Sequence, residues 1–307
     1  MEFKHYSVLL RECLEGLKIR PDGIYVDATA GGAGHSVEIA KKLESGKLYS
    51  FDQDPDAVVV ASERLRTYPC AEVLQSNFSE MEQRLAAVGV SSVDGVLFDL
   101  GVSSFQLDTA DRGFSYRYDA PLDMRMSKKG LSAQDIVNCY PEEELSRILR
   151  EYGEEKFSAT IARRIVQARE KRKIQTTFEL NELIKSSMPA KAKREKNPCK
   201  RSYQALRIAV NGELDSLSTG LDQAFNLLKS GGRLVVISFH SLEDRMIKQR
   251  FAMWCKGCTC PPDFPVCICG KKPRAKLVNK KPILPSDREL SENARSQSAK
   301  LRILEKL

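Results

Sequence analysis

The chain has 307 residues, of which 42% are apolar and 29% are charged. This length suits two domains of ordinary size or one domain with a large insertion, and the composition excludes a disordered protein. The most apolar stretches, such as residues 57–61 and 234–239, are too short to cross a bilayer, which excludes a transmembrane protein. The first residues do not resemble a secretory signal, so we expect a cytoplasmic protein.

Positive charge is concentrated in two segments. Residues 156–207 hold 15 Lys/Arg against 4 Asp/Glu, and residues 246–307 hold 14 against 5. The chain as a whole has a net charge of +8, so the remainder carries −12. Clustered lysines and arginines bind phosphates favourably because counterions are released. This distribution predicts that the basic segments bind a nucleic acid beside an acidic catalytic domain. The alternative is that the basic residues only form a helical surface exposed to solvent.

Short apolar runs alternate with helical patterns and predict an α/β fold. Strands are predicted at residues 24–28, 48–52, 93–99 and 233–239, with helices at residues 37–43 and 57–66. Pro55 fits the opening turn of the second helix. This β-α-β-α-β order predicts a doubly wound, Rossmann-like parallel sheet with helices on both faces.

The spacing of the strands indicates an inserted domain. Asp99 and Arg233 are separated by 133 residues, where a crossover unit usually needs about 30. We therefore predict a core at residues 1–105 and 208–307 with a basic, Cys-rich tail, and an inserted helical, basic, RNA-binding domain at residues 106–207. Residues 255–285 are expected to be mostly loop. Further helices are predicted at residues 142–150, 156–171, 178–186 and 206–228.

A glycine cluster follows the first predicted strand. Residues 27–36 read DATAGGAGHS, and Asp52 follows the last glycine of the cluster by 18 residues. Glycines let the backbone approach a ligand closely, and an acid at the end of the second strand is placed to bind ribose hydroxyls. The spacing is not that of the dinucleotide motif, and Asp27 would repel a pyrophosphate but attract an ammonium group. The pattern thus favours S-adenosylmethionine over NAD as the cofactor. The alternative roles are that Asp27 only caps a helix and that Asp52 only forms a turn.

Several motifs together resemble the MraW family of ribosomal RNA methyltransferases. DLGVSSFQLD stands at residues 99–108, RGFSYRYDAPLDMRM at 112–126 and ISFHSLEDR at 237–245. Shorter matches are found at residues 5–10, 152–155, 161–166, 203–214 and 298–303, so the resemblance covers nearly the whole chain. It implies a class I methyltransferase that uses S-adenosylmethionine to methylate the N4 amine of a cytidine in the decoding region of 16S ribosomal RNA. The partner it implies is 16S rRNA within the small ribosomal subunit.

The resemblance also implies site residues. It implies cofactor contacts at Ala33, Gly34, His35, Asp52, Phe78, Asp99 and Gln106, to which the glycine-loop pattern adds Asp27. For catalysis we predict Asp99 and Ser103 in the loop after the fourth strand, and His240 as a proton relay. Asp99 has a cofactor-binding role as its alternative, and His240 a hydrogen-bonded structural role.

Residue type predicts the contacts with the RNA. A splayed-out base needs an aromatic stacking surface, and phosphates need cations. The stacking candidates are Phe105, Phe114, Tyr116 and Tyr118, any of which is also suited to core packing. The candidate RNA-binding arginines are Arg112, Arg125, Arg201 and Arg207, together with the cations of residues 163–200.

Five of the nine cysteines lie between residues 255 and 269. Cys258, Cys260, Cys267 and Cys269 form two close pairs that could hold a structural zinc ion. The C-x-C spacing is a poorer chelate than C-x-x-C, so free thiols and a disulfide remain open. An RNA-binding assembly factor on an inactive methyltransferase fold is the alternative function, and an NAD-dependent oxidoreductase is disfavoured.

Overall fold

The computed structural model describes residues 7–194, 197–257, 260 and 269–307. Its contacts divide the chain into two compact units. The first, the sheet unit, comprises Met1–Gly101 and Asp215–Leu307, and the second, the helical unit, comprises Val102–Leu214. The function assigned to the inserted domain stays a prediction.

The sheet unit contains a seven-stranded mixed sheet in the described residues. The strand order is β3-β2-β1-β4-β5-β7-β6, and all neighbours from β3 to β5 are parallel, whereas β7 is antiparallel to both β5 and β6. The strands are β1 (Ile24–Asp27), β2 (Lys47–Asp52), β3 (Ala71–Gln75), β4 (Val93–Asp99), β5 (Leu228–Ser238), β6 (Ala275–Leu277) and β7 (Lys300–Lys306).

Helices cover both faces of this sheet because successive strand residues point to opposite sides. Val96 and Phe98 of β4 enter one apolar cluster, and Leu97 between them enters the other. Both clusters exclude water, which is why β4 is a continuous apolar run. The helices are α1 (Leu10–Leu17), α2 (Gly34–Ala40), α3 (Pro55–Leu65), α4 (Met81–Ala87), α12 (Glu213–Leu227), α13 (Ser241–Cys255) and α14 (Asp287–Glu292).

The strand order reverses direction at β1. The chain runs outward from β1 to β2 and β3, then returns to place β4 on the other side of β1. In such sheets ligands bind in the crevice at the carboxyl ends of the strands beside the reversal. Asp27, Asp52 and Asp99 are the last residues of β1, β2 and β4, so the topology brings three carboxylates to one edge.

The helical unit has its own apolar core, built from α6 through α11 and the segment before them. Gly153 ends α7 against α11, where an added Cβ would lie 2.6 Å from the backbone oxygen of Arg201. Within the described residues, no helix combines the length and apolar character needed to cross a membrane. The helices are α5 (Ser104–Asp108), α6 (Ala133–Cys139), α7 (Glu142–Gly153), α8 (Ser158–Arg169), α9 (Thr177–Ser186), α10 (Ala190–Lys193) and α11 (Lys200–Asn211).

The predicted α/β class and doubly wound sheet are confirmed. The single helix expected at residues 206–228 is wrong: Gly212 has a φ of +57° and ends α11, and α12 begins at the next residue. The sequence reading also missed β3, β6 and β7. Their residues alternate with charged ones or run for only three positions, so they lack the continuous apolar signal of β4.

Asp94 joins three neighbouring segments at the amino-terminal end of the sheet. Its carboxylate accepts the Ile24 N–H at 2.8 Å, Arg20 Nη2 at 2.6 Å and Lys229 Nζ at 2.9 Å. Burial raises the pKa of Asp94, but these three donors outweigh it and hold that pKa below its ordinary value. The ionised carboxylate therefore stabilises the pairing of β1, β4 and β5.

We expect Asp94→Asn to lower the free energy of unfolding at pH 7 by about 1–2 kcal/mol, because charge-assisted hydrogen bonds are lost. The pKa is depressed in the folded state, so this contribution is present above the unfolded pKa near 4 and is lost as the pH falls through the folded value. Urea unfolding at several pH values measures it, and the difference between the two proteins should shrink in acid.

Asp22→Asn is the matched control. Asp22 also pairs with Arg20, but at 3.7 Å and with 72% of its side chain exposed, so we expect a change within about 0.5 kcal/mol. Equal unfolding free energies for the two variants at pH 7 would contradict the role assigned to Asp94.

Candidate active site

The loop between β1 and α2 has a backbone shape that its sequence explains. Gly31 and Ala33 both adopt left-handed conformations, with φ of +49° and +58°. The Ala30 N–H donates to the carbonyl of Phe51, and the Ala33 N–H donates to the carbonyl of Ala30. At Gly34 an added Cβ would lie 2.0 Å from Ser7 Oγ, so any other residue would require the Ser7 side chain to move.

Asp27 lies beneath this loop and is almost fully buried. Its carboxylate accepts the Thr29 N–H at 3.1 Å and the Ser36 hydroxyl at 2.6 Å, and Ser36 in turn contacts Ser50. Burial raises the pKa of Asp27, opposed by His35 and by these two donors. Asp27 thus ties the loop to the first turn of α2, which is the structural alternative; direct contact with a cofactor stays a prediction.

Asp52 holds the loop from the neighbouring strand. One carboxylate oxygen accepts the Gly31 N–H and the other the Asp54 N–H, each at 2.8 Å. Burial raises the pKa of Asp52 to about 6, although both N–H groups lower it. An acid at this position, with unused lone pairs on both oxygens, is suited to accept two neighbouring hydroxyl groups.

Asp99 ends β4, where its own N–H donates to Thr29 Oγ1 at 2.7 Å. Its Oδ2 lies 3.6 Å from Nδ1 of the buried His35, and its Oδ1 is inaccessible to water and has no hydrogen-bond partner among the described residues. Burial raises the pKa of Asp99 to about 6; His35 lowers it, and Asp27, Glu243 and Glu289 raise it further. An orphaned carboxylate oxygen is costly to bury and is therefore suited to a ligand donor.

The loop residues predicted as cofactor contacts lie where the sequence placed them. Ala33 caps α2, and Gly34 and His35 begin it, so their N–H groups belong to the first turn and have no acceptor within the helix. Phe78 lies in the short turn after β3, half-buried, with its ring edge-on to Phe98 at 5.3 Å. Contact of these residues with a cofactor stays a prediction.

His240 and Glu243 form the cap of α13. His240 Nδ1 accepts the Glu243 N–H at 3.4 Å, while Glu243 accepts the N–H groups of Phe239 and His240. The Nε2 of His240 lies 3.1 Å from Glu243 Oε1. These contacts give His240 a hydrogen-bonded structural role, and its role as a proton relay stays a prediction.

Ser103 and Gln106 belong to the helical unit. They form a capping box at the start of α5: the Gln106 N–H donates to Ser103 Oγ at 3.2 Å, and the Ser103 N–H donates to Gln106 Oε1 at 3.0 Å. Gln106 is buried. The catalytic role of Ser103 and the cofactor contact of Gln106 are not tested by this arrangement.

The predicted RNA contacts differ in their accessibility. Arg201 is exposed, whereas Arg112 is buried and donates to the carbonyls of Arg125 and Met126. Arg125 pairs with Asp123, and Arg207 forms two hydrogen bonds to Glu213. Their partners inside the helical unit partly neutralise Arg125 and Arg207. Of the stacking candidates, Phe105 and Tyr118 are exposed, Tyr116 is half-buried and Phe114 is buried.

The predicted zinc ligands are only partly described. Cys258 and Cys267 lie outside the described residues, and Cys260 and Cys269 are half-buried. The zinc prediction is therefore untested.

Three carboxylates thus converge on one crevice, and their closest described donors are backbone N–H groups, a hydroxyl and one imidazole. Such a crevice favours a ligand that brings its own positive charge. Sequence reasoning missed Thr29 and Glu289. Thr29 had a signal, since it is a hydroxyl residue inside the loop motif, but nothing in the sequence connects Glu289 with residues near 9 and 99.

Comparison with known proteins identifies relatives of the whole chain. The profile of the MraW methylase family matches residues 2–307. A ribosomal RNA small subunit methyltransferase H 2 from Agathobacter rectalis is 56% identical over 311 residues, covering 100% of this chain and 99% of the relative. A ribosomal RNA small subunit methyltransferase H from Lachnospira eligens is 53% identical, covering 100% of this chain and 99% of the relative. A protein of the same name from Paenibacillus sp. is 55% identical, covering 99% of this chain and 100% of the relative.

Solved structures align more loosely. A crystal structure of an rRNA methylase from Streptococcus thermophilus aligns over 98% of each chain at 11% identity, with a TM-score of 0.44. The profile match and the close relatives extend over the full length of the sequence. The chain therefore belongs to the MraW methylase family.

Proposed function

We propose that this protein methylates the N4 amine of a cytidine in the decoding region of 16S ribosomal RNA, with S-adenosylmethionine as the methyl donor. Membership in a methylase family and the names of the relatives support the reaction and an RNA substrate. The structural observation that carries the proposal is the crevice with three carboxylates, one of which has an unpartnered oxygen. The reaction would take place in the cytoplasm, on RNA within the small ribosomal subunit.

The crevice fits such a donor. Asp52 would accept the two ribose hydroxyls, the N–H groups of Gly34 and His35 would meet the methionine end, and Phe78 would pack against the adenine. When bound, the donor supplies an electrophilic methyl group on a positively charged sulfur. The negative charge of Asp27, Asp52 and Asp99 would stabilise that cation, whereas it would oppose the pyrophosphate of NAD.

The cytosine amine is a weak nucleophile because its lone pair is delocalised into the ring. Its nitrogen forms a bond to the methyl carbon as the carbon–sulfur bond breaks, and one N–H proton must then leave the cationic nitrogen. The Asp99 carboxylate accepts a hydrogen bond from the amine, which orients it, and then takes this proton. Because the proton becomes acidic as the methyl group arrives, a strong base is not required.

The helical unit would hold the RNA. It carries 22 Lys/Arg against 16 Asp/Glu, and Lys191, Lys193 and Arg194 are all exposed around α10. A structural zinc bound by Cys258, Cys260, Cys267 and Cys269 belongs to the same proposal. Metal analysis of the purified protein distinguishes it from free thiols or a disulfide.

Methyl transfer from labelled donor to isolated small subunits tests the reaction. We expect Asp99→Ala to lower kcat about 10²-fold to 10³-fold while the donor Kd changes far less, because the carboxylate contacts the reacting amine. Asp22→Asn is the control. A loss of donor affinity as large as the loss of kcat would mean that Asp99 only binds the cofactor. No transfer by the wild type, together with tight RNA binding, would favour the assembly-factor alternative.

Binding of the donor should depend on pH. The ionised form of Asp52 accepts the ribose hydroxyls, and its pKa is about 6 in the free protein, so affinity is retained above that pH and lost as the pH falls through it. Calorimetry should show the Kd rising by up to about tenfold from pH 7.5 to pH 5. Asp52→Asn should bind more weakly at pH 7.5 and show a smaller rise in acid, whereas exposed Glu63→Gln should match the wild type. An unchanged pH dependence in Asp52→Asn would contradict this role.

RNA binding should weaken steeply with salt. Reversing the charges of Lys191, Lys193 and Arg194 should lower the slope of log K against log salt by up to about 2, since each phosphate contact contributes about 0.7–0.9. Filter binding to small-subunit RNA at several salt concentrations measures it. Reversing three exposed cations of the sheet unit, Lys42, Lys47 and Arg66, is the matched control. Equal slopes for the two triple variants would mean that the α10 cations face only solvent.

A further inference from the structure

The side chain of His35 has a polar neighbour at each ring nitrogen. Nε2 lies 3.0 Å from the carbonyl oxygen of Val8, and Nδ1 lies 3.6 Å from Asp99 Oδ2. A carbonyl oxygen can only accept, so Nε2 carries a hydrogen; when Nδ1 is protonated as well, the ring forms an ion pair with the carboxylate. The Val8 carbonyl thus fixes the orientation of the ring beside Asp99.

The backbone that presents this carbonyl is unusual. Leu9, the next residue, is buried and adopts a left-handed conformation with φ of +51° and ψ of +35°. A leucine in this region is strained, and such strain persists only where surrounding contacts hold it. Ala33, two residues before His35, is left-handed as well. His35 therefore lies between two strained backbone positions.

Glu289 binds the backbone of Val8 and Leu9, here called the Val8–Leu9 corner, although it lies far away in the sequence. Its Oε1 accepts the Leu9 N–H at 2.8 Å, across 280 residues of chain, and its helix α14 is capped by Ser286. On the other side of the corner, the Cys13 N–H donates to the Leu9 carbonyl at 2.9 Å. A half-buried carboxylate is thus the described acceptor for the N–H of the strained residue.

We propose that Glu289 is a positioning residue for methyl transfer: by fixing the Val8–Leu9 corner, it orients the His35 ring, whose doubly protonated form pairs with the Asp99 carboxylate and holds it beside the substrate amine. This inference rests on the proposed function. Orientation matters because the Asp99 carboxylate must meet the amine at hydrogen-bond distance, and a displacement of about 1 Å reduces catalysis strongly. His35 therefore has a role through its side chain beyond the backbone contact expected with the cofactor.

Three variants separate the hydrogen bond from the charge and from the helix. Glu289→Ala removes the acceptor, whereas Glu289→Gln keeps an oxygen that can accept the Leu9 N–H. Glu292→Ala changes an acid on the same helix whose described partner is the exposed Arg288. We expect kcat to fall about tenfold in Glu289→Ala with little change in the KM for the methyl donor, and to stay within about twofold in the other two.

The ring nitrogens of His35 give a readout that is independent of activity. The chain contains only three histidines, so ¹⁵N-edited spectra can be assigned with a His35→Asn variant. We expect Nε2 to be protonated and hydrogen-bonded in the wild type and in Glu289→Gln, and averaged nitrogen shifts in Glu289→Ala at a temperature where that variant is folded.

Unchanged ring-nitrogen shifts in Glu289→Ala overturn the proposal, whether or not kcat falls, and so does an unchanged kcat with altered shifts. If the wild type transfers no methyl group, the proposed function fails, but the nitrogen shifts still decide whether Glu289 positions His35.

Discussion

The arrangement of the sheet unit depends on buried negative charge at one edge of the sheet. Asp27, Asp52 and Asp99 end three adjacent strands, and the core beneath them limits the access of water to their charges. Burial raises the pKa of each, to about 6 for Asp52 and Asp99. The three negative charges thus repel one another at this edge, and a cationic ligand would be stabilised most where they meet. A sulfonium compound relieves this repulsion, and a phosphate ester increases it.

A different set of local contacts positions each of the three aspartates. Asp27 is held by the loop that it supports, Asp52 by the N–H groups of Gly31 and Asp54, and Asp99 by pairing of β4 with β5 and by the Thr29 hydroxyl. Because only Asp99 keeps an oxygen without a described partner, we propose the catalytic role for Asp99 and a supporting role for the other two aspartates. The distinction follows from hydrogen-bond satisfaction, since all three are carboxylates of the same type.

The sequence was sufficient for the parts of this site that are local or periodic. The apolar runs before Asp27, Asp52 and Asp99 predicted three strands, and the glycine cluster predicted the loop. It was insufficient where a contact joins distant segments: nothing near Glu289 indicates that it binds the Leu9 N–H. The break at Gly212 was missed because both flanking segments have helical spacing, and only the positive φ separates them. A single sequence shows the periodicity of local elements, but it does not show which distant residues are in contact.

The position of β7 has a consequence for biosynthesis. This strand, Lys300–Lys306, lies between β5 and β6 and pairs antiparallel with both. Until the ribosome has released these residues, the backbone of β5 is an open edge able to pair with another nascent chain. Chaperones that shield newly made polypeptides would therefore have most to protect in the interval between synthesis of β5 and insertion of β7.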